Sequence, residues 1–362
     1  MTLFGIYNIQ IDRPLFFALL IPAGLSLLIL YSATGQNLDI VIRHALRLVG
    51  GFGLMLAIAQ IRPETLARWA PYLFVGGVLL LIAVLGVGSV SKGAQRWLNL
   101  GVVRIQPSEF MKLAVPMMLG WYFARTSVPP RLSQLAVAAL IILIPALLVA
   151  KQPDLGTAVL IIGAGGLILF LAGMGWRTLG AIAGLVAAAM PVLWVYLHDY
   201  QRKRIFTLLD PTSDPLGAGY HTIQSMIAIG SGGFFGKGWL NSTQAHLEYL
   251  PESSTDFVFA VFAEEFGLLG IVILLSVYLY IVGRGLMIAF FAHDTFARLL
   301  AGGLALSFFL YFFVNVGMVS GILPVVGVPL PLISYGGTSV VTLMAAFGML
   351  MSIHTHRKIF VT

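Results

Sequence analysis

Hydrophobic residues along this chain form long, nearly uncharged runs that are separated by short polar segments. Runs of about 20 apolar residues can cross a bilayer as α-helices, whereas a membrane β-barrel would show short alternating segments. The pattern predicts an all-α polytopic membrane protein, a single integral-membrane domain over residues 1–362. The ten predicted spans are 15–31, 43–61, 69–88, 108–124, 133–150, 156–172, 178–197, 257–283, 298–319 and 338–353.

The connections are short except for residues 198–256, a long polar segment between the seventh and eighth predicted spans. Its one apolar stretch, Ile223 to Ile229, is too short to span a membrane and is typical of an interfacial or re-entrant helix. Long loops in compact proteins are usually functional or disordered, and the spaced aromatic residues and glycines here favour order. We therefore expect an ordered lid over a groove, hinged at glycines between Gly230 and Gly238.

The composition supports the membrane interpretation and removes several kinds of chemistry. Hydrophobic residues make up 59% of the chain and charged residues only 10%, too few to cover a water-facing surface. The chain has no cysteine, which excludes disulfides, thiolate metal sites and cysteine nucleophiles. No Walker loop or dinucleotide-binding motif appears in a strand–helix context, which argues against a nucleotide-driven engine.

The charge distribution bears on the orientation in the membrane. An even number of spans places both termini on one face and the long segment 198–256 on the other. The 21 Lys and Arg residues divide almost equally between the faces, although the positive-inside rule expects an excess on the cytoplasmic side. Either the long loop crosses despite its charge, or one face keeps cations for an anionic ligand. In the second case the termini are cytoplasmic and the basic face looks outward.

Three acidic residues stand at the starts of predicted spans, on the face opposite the termini. They are Glu109, Asp154 and Asp256. Helix capping and the helix dipole explain such positions without chemistry. Alternatively Asp256 is a general base, because a carboxylate at the edge of the hydrocarbon is partly desolvated and therefore more basic. Glu109 and Lys112 are three residues apart and can form a structural ion pair, or Lys112 binds an anionic headgroup while Glu109 tunes it.

Basic and aromatic residues in the outer segments are candidates for binding a phosphorylated sugar. Lys92, Arg96 and Arg104 lie in one loop with Trp97, and this loop is either simply solvated or binds pyrophosphate. Four of the six tryptophans fall at span ends, where an aromatic belt accounts for them. Trp97 and Trp239 remain as candidates for stacking on a sugar.

Polar features also occur at membrane depth. Glu264 and Glu265 lie inside a predicted span, which is costly unless they pair or face a wet cavity; they either hold helices together or serve a site. Residues 320–339 are rich in Gly and Pro, and non-helical backbone at this depth must line a cavity or be buried in protein. These features favour a transporter as much as an enzyme.

These motifs together resemble the SEDS family, the shape, elongation, division and sporulation proteins of bacteria. The last loop, from Asn315 to Ser339, is similar to the family signature throughout. The resemblance covers nearly the whole chain in order and is strongest for the rod-shape members. Further blocks that match are Lys92 to Asn99, Gln106 to Glu109 with Lys112, Lys151 to Thr157, Gln224 to Gly238 and Leu250 to Gly267.

The resemblance implies a peptidoglycan glycosyltransferase in the bacterial cytoplasmic (inner) membrane. Such enzymes polymerise lipid II on the outer face for cell-wall elongation and rod shape, and release undecaprenyl pyrophosphate. Their partners are a class B penicillin-binding protein, which supplies the transpeptidase, and the cell-elongation machinery; no nucleic acid is expected. A divalent cation, Mg²⁺ or Mn²⁺, could share the pyrophosphate. A lipid II flippase and a scaffold without chemistry remain the competing functions.

The resemblance also assigns roles to residues. Asp256 matches the essential catalytic aspartate, and Glu109, Lys112 and Asp154 match cavity residues that are important to activity. Ser334 of the signature loop joins the outer-loop residues among the expected substrate contacts, which are Lys92, Arg96, Trp97 and Trp239. The family often has His two residues before the aspartate, where this chain has Ser254. A His at that position therefore cannot be required here.

Overall fold

The apolar runs fold into long helices, with short helices and one small sheet between them. The structure, a computed structural model, describes residues 10–91, 94–99, 104–196, 199–213, 215, 219–247 and 249–356. In these residues the helices are α1 (Arg13–Ala33), α2 (Leu38–Ala59), α3 (Pro63–Val87), α4 (Pro107–Phe123), α5 (Leu132–Lys151), α6 (Leu155–Leu171), α7 (Trp176–Tyr196), α8 (Asp199–Leu209), α9 (Tyr220–Ser231), α10 (Thr243–His246), α11 (Val258–Phe290), α12 (Thr295–Val319) and α13 (Gly337–Thr355).

The ten predicted spans correspond to α1–α7 and α11–α13, so the polytopic helical fold is confirmed. Among the described residues, seven of these helices are long and apolar enough to cross a membrane, namely α1, α2, α3, α5, α11, α12 and α13. α4 and α6 have 17 residues each. The first turns of α4 carry the charged residues Glu109 and Lys112, which lower its hydropathy.

α12 is the central helix, and its surroundings explain the small residues that it carries. It packs against α4, α6, α11 and α13, and most of its residues are buried. A Cβ on Gly303 would lie 2.6 Å from Ile168 of α6, and one on Gly302 would lie 2.6 Å from Leu171. Small residues let helix backbones approach closely in membranes, where no hydrophobic effect drives helices together.

The first and last spans meet at one end of the bundle. Asp12 caps α1 by accepting a hydrogen bond from Leu15 N at 2.9 Å. The same buried carboxylate accepts from Arg284 Nη2 of α11 at 2.7 Å and lies 3.3 Å from His354 Nε2 of α13. The start of α1 and the end of α13 are therefore joined, as an even number of spans requires.

In its described residues the long segment 198–256 contains α8, α9 and α10. The short apolar stretch predicted as a helix is α9, which extends further than predicted at both ends. Its buried face is small or polar, with Thr222, Ser225 and Ala228, and Ser225 Oγ donates to Val319 O of α12 at 2.8 Å. This hydrogen bond joins α9 to the end of a membrane span.

The eighth span is not one continuous helix, contrary to the prediction. The backbone of α11 breaks at Gly267, with φ 64° and ψ −165°, and continues to Phe290. The chain at 233–238 satisfies the opened backbone groups: Leu268 N donates to Gly233 O at 3.0 Å, and Gly238 N donates to Glu265 O at 3.0 Å. A break at membrane depth is tolerated because protein backbone fills it.

The glycines that we expected to act as hinges have a different role at two positions. A Cβ on Gly236 would lie 2.1 Å from Glu265 O, and one on Gly232 would lie 2.2 Å from Ala263 O. Gly236 also has φ 81°, a conformation that L side chains rarely adopt. These residues are glycine because two backbones touch there, so the hinge interpretation is wrong for them.

Candidate active site

Asp256 lies in a turn that immediately precedes α11. Residues 251–257 form turns, Phe257 is the N-cap of α11, and Phe257 makes no side-chain cap hydrogen bond. Asp256 therefore precedes the cap position, and it is half-buried. The interpretation of Asp256 as an ordinary N-cap does not fit this helix start.

Two residues of the signature loop hold this turn through its carbonyl oxygens. Ser334 Oγ donates to Thr255 O at 2.5 Å and accepts from Leu330 N at 2.7 Å. Tyr335 N donates to Ser254 O at 2.9 Å. Ser334 was predicted to contact substrate; in this geometry its hydroxyl is buried and positions the turn that carries Asp256.

Asn315 of α12 fixes the turn from the other side. Its Nδ2 donates to Asp256 O at 2.9 Å and to Val328 O at 2.7 Å. Residue 327 comes close to the carboxylate, because a Cβ on Gly327 would lie 3.4 Å from Asp256 Oδ2. The turn, the end of α12 and the signature loop thus form one connected unit around Asp256.

Glu109 and Lys112 form a buried ion pair in the first turns of α4. Lys112 Nζ lies 2.6 Å from Glu109 Oε1, and the two side chains are only 6% and 9% exposed. Lys112 Nζ also lies 4.9 Å from the ring centroid of Tyr311. Glu109 Oε2 and the neighbouring Ser108 Oγ are buried without a hydrogen-bond partner among the described residues, although buried polar atoms are rarely left unpaired.

Asp154 and Arg96 meet at the turn between α5 and α6. Asp154 caps α6 by accepting from Thr157 N at 3.3 Å, and its Oδ2 accepts from Gln106 Nε2 at 3.3 Å. Arg96 Nε lies 3.8 Å from Asp154 Oδ2, and the guanidinium also donates to Pro153 O. The capping interpretation therefore holds for Asp154, and Arg96 is engaged by this turn.

A groove of about 970 Å³ runs between α2, α3, α4 and α13. Most of its wall is apolar. The polar lining residues come from residues 97–109, the start of α13 and Arg47 of α2, and they form its polar end. The apolar lining includes Leu54, Ile58, Leu66, Leu73, Phe110, Val341, Ala345 and Met349. The polar end includes Arg47, Trp97, Arg104, Gln106, Glu109 and Thr338.

The loop predicted between the third and fourth spans, residues 89–107, contains a small antiparallel sheet in its described residues, which an all-helical prediction missed. Its strands are β1 (Ser89–Ser91), β2 (Ala94–Asn99) and β3 (Arg104–Ile105), in the order β1-β2-β3. β2 carries Arg96 to the α5–α6 turn and Trp97 to the groove. The predicted contact Lys92 lies outside the described residues.

Trp239 does not join the groove. Its Nε1 donates to Leu28 O of α1 at 3.0 Å, and its ring centroid lies 6.0 Å from that of Tyr31. The side chain is 43% exposed and packs beside α1. The structure therefore brings together Trp97, Glu109 and Arg104 but leaves Trp239 elsewhere.

Sequence reasoning missed Arg47, which lies at the polar end of the groove. Its guanidinium carbon is 4.6 Å from the ring centroid of Tyr335, the residue whose amide holds the Asp256 turn. A signal was present, because Arg47 falls inside the predicted span 43–61 and a charge within a span usually faces a cavity.

His221 of α9 is a second residue that the sequence did not single out. Its ring stacks on Phe257, with centroids 5.6 Å apart and 18° between the planes. Its Nδ1 is buried without a partner among the described residues. Burial lowers the pKa of His221 from 6.5, and Glu252 partly offsets this.

Comparison with known proteins gives the family of the chain. Residues 7–359 match the model of the FtsW, RodA and SpoVE family, described as cell cycle proteins. The chain is 54% identical over 352 residues to the peptidoglycan glycosyltransferase MrdB of Escherichia coli K12, covering 97% of this chain and 95% of that protein. It is 38% identical over 320 residues to the MrdB of Helicobacter pylori J99, covering 86% and 82%.

Two solved structures have the same fold. One, from work on a peptidoglycan synthase complex that coordinates polymerization and crosslinking, matches with a TM-score of 0.82 and 31% identity, over 95% of this chain and 97% of that chain. The rod shape determining protein RodA of Thermus thermophilus matches with a TM-score of 0.73 and 28% identity, over 96% and 97%. The chain belongs to the SEDS family. It is a multi-pass membrane protein and a peptidoglycan glycosyltransferase.

Proposed function

We propose that this glycosyltransferase polymerises lipid II and that Asp256 is its general base. The observation that carries the proposal is the position of Asp256 in a turn fixed by Ser334, Tyr335 and Asn315. Tyr335 also joins this turn to the groove, since its ring lies beneath Arg47. The turn that carries the carboxylate is thus fixed by hydrogen bonds, and Tyr335 connects it to Arg47 at the polar end of the groove.

The reaction needs few protein groups. A sugar 4-hydroxyl of the acceptor attacks the anomeric carbon of the donor, and a new carbon–oxygen bond forms as the bond to the pyrophosphate breaks. Asp256 takes the hydroxyl proton, and undecaprenyl pyrophosphate leaves with the bonding electron pair. Charge that develops on the leaving group requires fixed cations or oriented donors.

The groove fits a long polyprenyl chain attached to a charged headgroup. Its apolar wall is lined by residues of α2, α3, α4 and α13, and its polar end carries Arg47, Arg104 and Glu109. Binding sites for amphipathic ligands combine such an apolar wall with a few polar groups that fix orientation. Trp97, in the same polar end, offers a ring face to a sugar.

A divalent cation remains compatible with this site, although no step depends on it. Among the described residues, no three His, Asp or Glu side chains come close enough to hold a metal ion together. Mg²⁺ is often bound by one or two carboxylates together with substrate phosphates, so diphosphate oxygens would supply most ligands.

We place both termini on the cytoplasmic side of the bacterial inner membrane and the active site on the outer face. The joined ends of α1 and α13, at Asp12 and His354, support a common side for the termini. The partners would be a class B penicillin-binding protein and the cell-elongation machinery. The similarity to a peptidoglycan synthase complex supports the first of these.

The decisive experiment compares wild type, Asp256→Asn and Asp210→Asn in a lipid II polymerisation assay with the purified partner. Asn keeps the shape of the side chain but cannot take a proton, so Asp256→Asn should lower turnover by about 10²–10⁴-fold. Asp210 is an exposed acid in the same outer segment and serves as the control. Near-normal turnover of Asp256→Asn would refute the base assignment. Movement of labelled lipid II between leaflets without polymer would indicate a flippase instead.

A further inference from the structure

Arg47 stands where the apolar groove becomes polar. It belongs to α2, is half-buried, and lines the groove together with Thr338 and Glu109. Its described contact is the face of the Tyr335 ring at 4.6 Å, and no carboxylate among the described residues forms an ion pair with it. A guanidinium stacked on an aromatic ring keeps its N–H donors available at its edge.

The amino terminus of α13 faces the same point. Its N-cap is Gly336, with no side-chain cap hydrogen bond, and Gly337 and Thr338 line the groove. A Cβ on Gly337 would lie 3.5 Å from Arg47 Nε, so the cation directly adjoins the first turn. The first N–H groups of a helix have no partner within it and favour an anion.

A third observation indicates that this end of the groove receives a ligand. The Glu109 side chain, only 9% exposed, lines it with an oxygen that has no partner among the described residues. Two cations that the sequence suggested for a pyrophosphate are engaged elsewhere: Arg96 by the α5–α6 turn and Lys112 by Glu109. Arg47 and the α13 amides are therefore anion donors at this end of the groove, which Arg104 also lines.

We infer that the diphosphate of a polyprenyl diphosphate binds between the guanidinium of Arg47 and the amino-terminal amides of α13. The polyprenyl chain then follows the apolar groove, and Glu109 accepts a hydrogen bond from a hydroxyl of the attached sugar. Tyr335 contacts Arg47 and also holds the Asp256 turn. The same residue therefore positions both the site for the leaving group and the base. This inference rests on the proposed function and names the subsite for the leaving group.

Binding to purified, catalytically idle Asp256→Asn protein in detergent tests the subsite. Three probes are compared by calorimetry: undecaprenyl diphosphate, undecaprenol and inorganic diphosphate. Arg47→Ala should weaken undecaprenyl diphosphate binding roughly 10- to 100-fold, as expected for a lost charge-assisted hydrogen bond, and leave undecaprenol binding unchanged. Arg43→Ala is the matched control, since Arg43 lies one turn earlier on α2, is exposed and donates to Asp39 O.

The probes separate the possible sources of the anion. Binding of inorganic diphosphate as tight as that of the lipid, and dependent on Arg47, would indicate a free anion site and overturn the lipid assignment. Equal weakening of undecaprenol and undecaprenyl diphosphate by Arg47→Ala would show that Arg47 only shapes the groove. Unchanged affinity for undecaprenyl diphosphate would also refute the subsite.

A backbone substitution tests the helix amides independently of any side-chain charge. Gly337→Pro removes one N–H group at the first helical position, where proline is well tolerated, and the preceding Gly336 is already extended. Gly337→Ala keeps that N–H group and is the control. We expect Gly337→Pro alone to weaken undecaprenyl diphosphate binding several-fold; equal behaviour of the two variants would remove α13 from the subsite.

A failure of the diphosphate subsite can be distinguished from a failure of the proposed function. Each binding measurement requires no turnover, so the subsite can be correct even if Asp256 is not the base. Conversely, loss of polymerisation in Asp256→Asn with normal, Arg47-independent diphosphate binding would support the base and refute the subsite.

Discussion

Two buried glutamates, Glu109 and Glu264, occupy comparable places near the starts of membrane helices but differ in their partners. Glu264 is fully buried and accepts hydrogen bonds from Lys237 Nζ at 2.6 Å, Ser242 Oγ at 2.6 Å and Thr243 Oγ1 at 2.7 Å. Two backbone amides of the same segment also donate to it. Glu109 has one bound oxygen and one without a partner among the described residues.

The contrast separates a structural carboxylate from a candidate functional one. A buried polar atom without a partner costs free energy, so a fully bonded group such as Glu264 serves stability by fastening residues 237–244 to α11. The incomplete set of partners at Glu109 lies in the groove wall, where a ligand can complete it. The same reasoning favours the structural interpretation for Glu264, whose hydrogen bonds hold residues 237–244 against α11.

The largest expected effect on stability is that of Glu264→Gln. The new amide would direct N–H groups at donors such as Ser242 and would leave Lys237 without its anion. We expect a loss of about 3 kcal/mol or more, measured as a lower melting temperature in detergent. A melting temperature within experimental error of wild type would show that these hydrogen bonds do not fasten the segment, and the comparison would fail.

Glu109→Gln should lower polymerisation more than stability, the reverse of what we expect for Glu264→Gln. In Glu109→Gln the amide oxygen can still accept from Lys112, but the buried ammonium loses its counter-charge. Because Glu109 makes fewer hydrogen bonds than Glu264, we expect a smaller loss of stability, about 1–3 kcal/mol. Polymerisation should fall roughly 10- to 100-fold, because the substrate loses a charged acceptor. The measurement pairs melting temperature with lipid II turnover. A variant that melts early and polymerises normally would make Glu109 a purely structural partner of Lys112.

Most of the helical framework could be predicted, because it depends on local patterns. Apolar run lengths gave the spans, and the spacing of Glu109 and Lys112 gave their pairing. The break at Gly267 could not be predicted, since it exists only where the backbone of 233–238 enters from elsewhere in the chain. The role of Ser334 was equally hidden, because its hydroxyl contacts the carbonyl of Thr255, which is 79 residues away.

Ser334→Ala tests whether the Asp256 turn depends on its supports. The change removes hydrogen bonds to Thr255 O and from Leu330 N and leaves these groups buried, so we expect a loss of about 1–3 kcal/mol in stability. Turnover should fall more than this partial loss of folding explains, because Asp256 becomes less well positioned.

The control for this variant is Ser276→Ala, whose hydroxyl donates only within its own helix, to Val272 O. Normal turnover per folded molecule in Ser334→Ala would mean that Asn315 and Tyr335 suffice to hold the turn. Substrate affinity should remain unchanged if Ser334 positions the turn, and it should fall if the hydroxyl contacts substrate as the sequence suggested.

The smallest expected effect concerns His221, whose ring stacks on Phe257 next to Asp256. Burial lowers its pKa from 6.5, with partial compensation from Glu252, so the folded protein resists protonation of this ring. Below pH 6.5 the unfolded chain binds this proton more readily than the folded one, and stability therefore falls as the pH decreases.

His221→Gln should flatten the dependence of melting temperature on pH between about 7 and 5. His246→Gln, at an exposed site, should retain the wild-type slope. A His221→Gln slope equal to that of wild type would show that the stacked ring beside Phe257 does not couple protonation to folding.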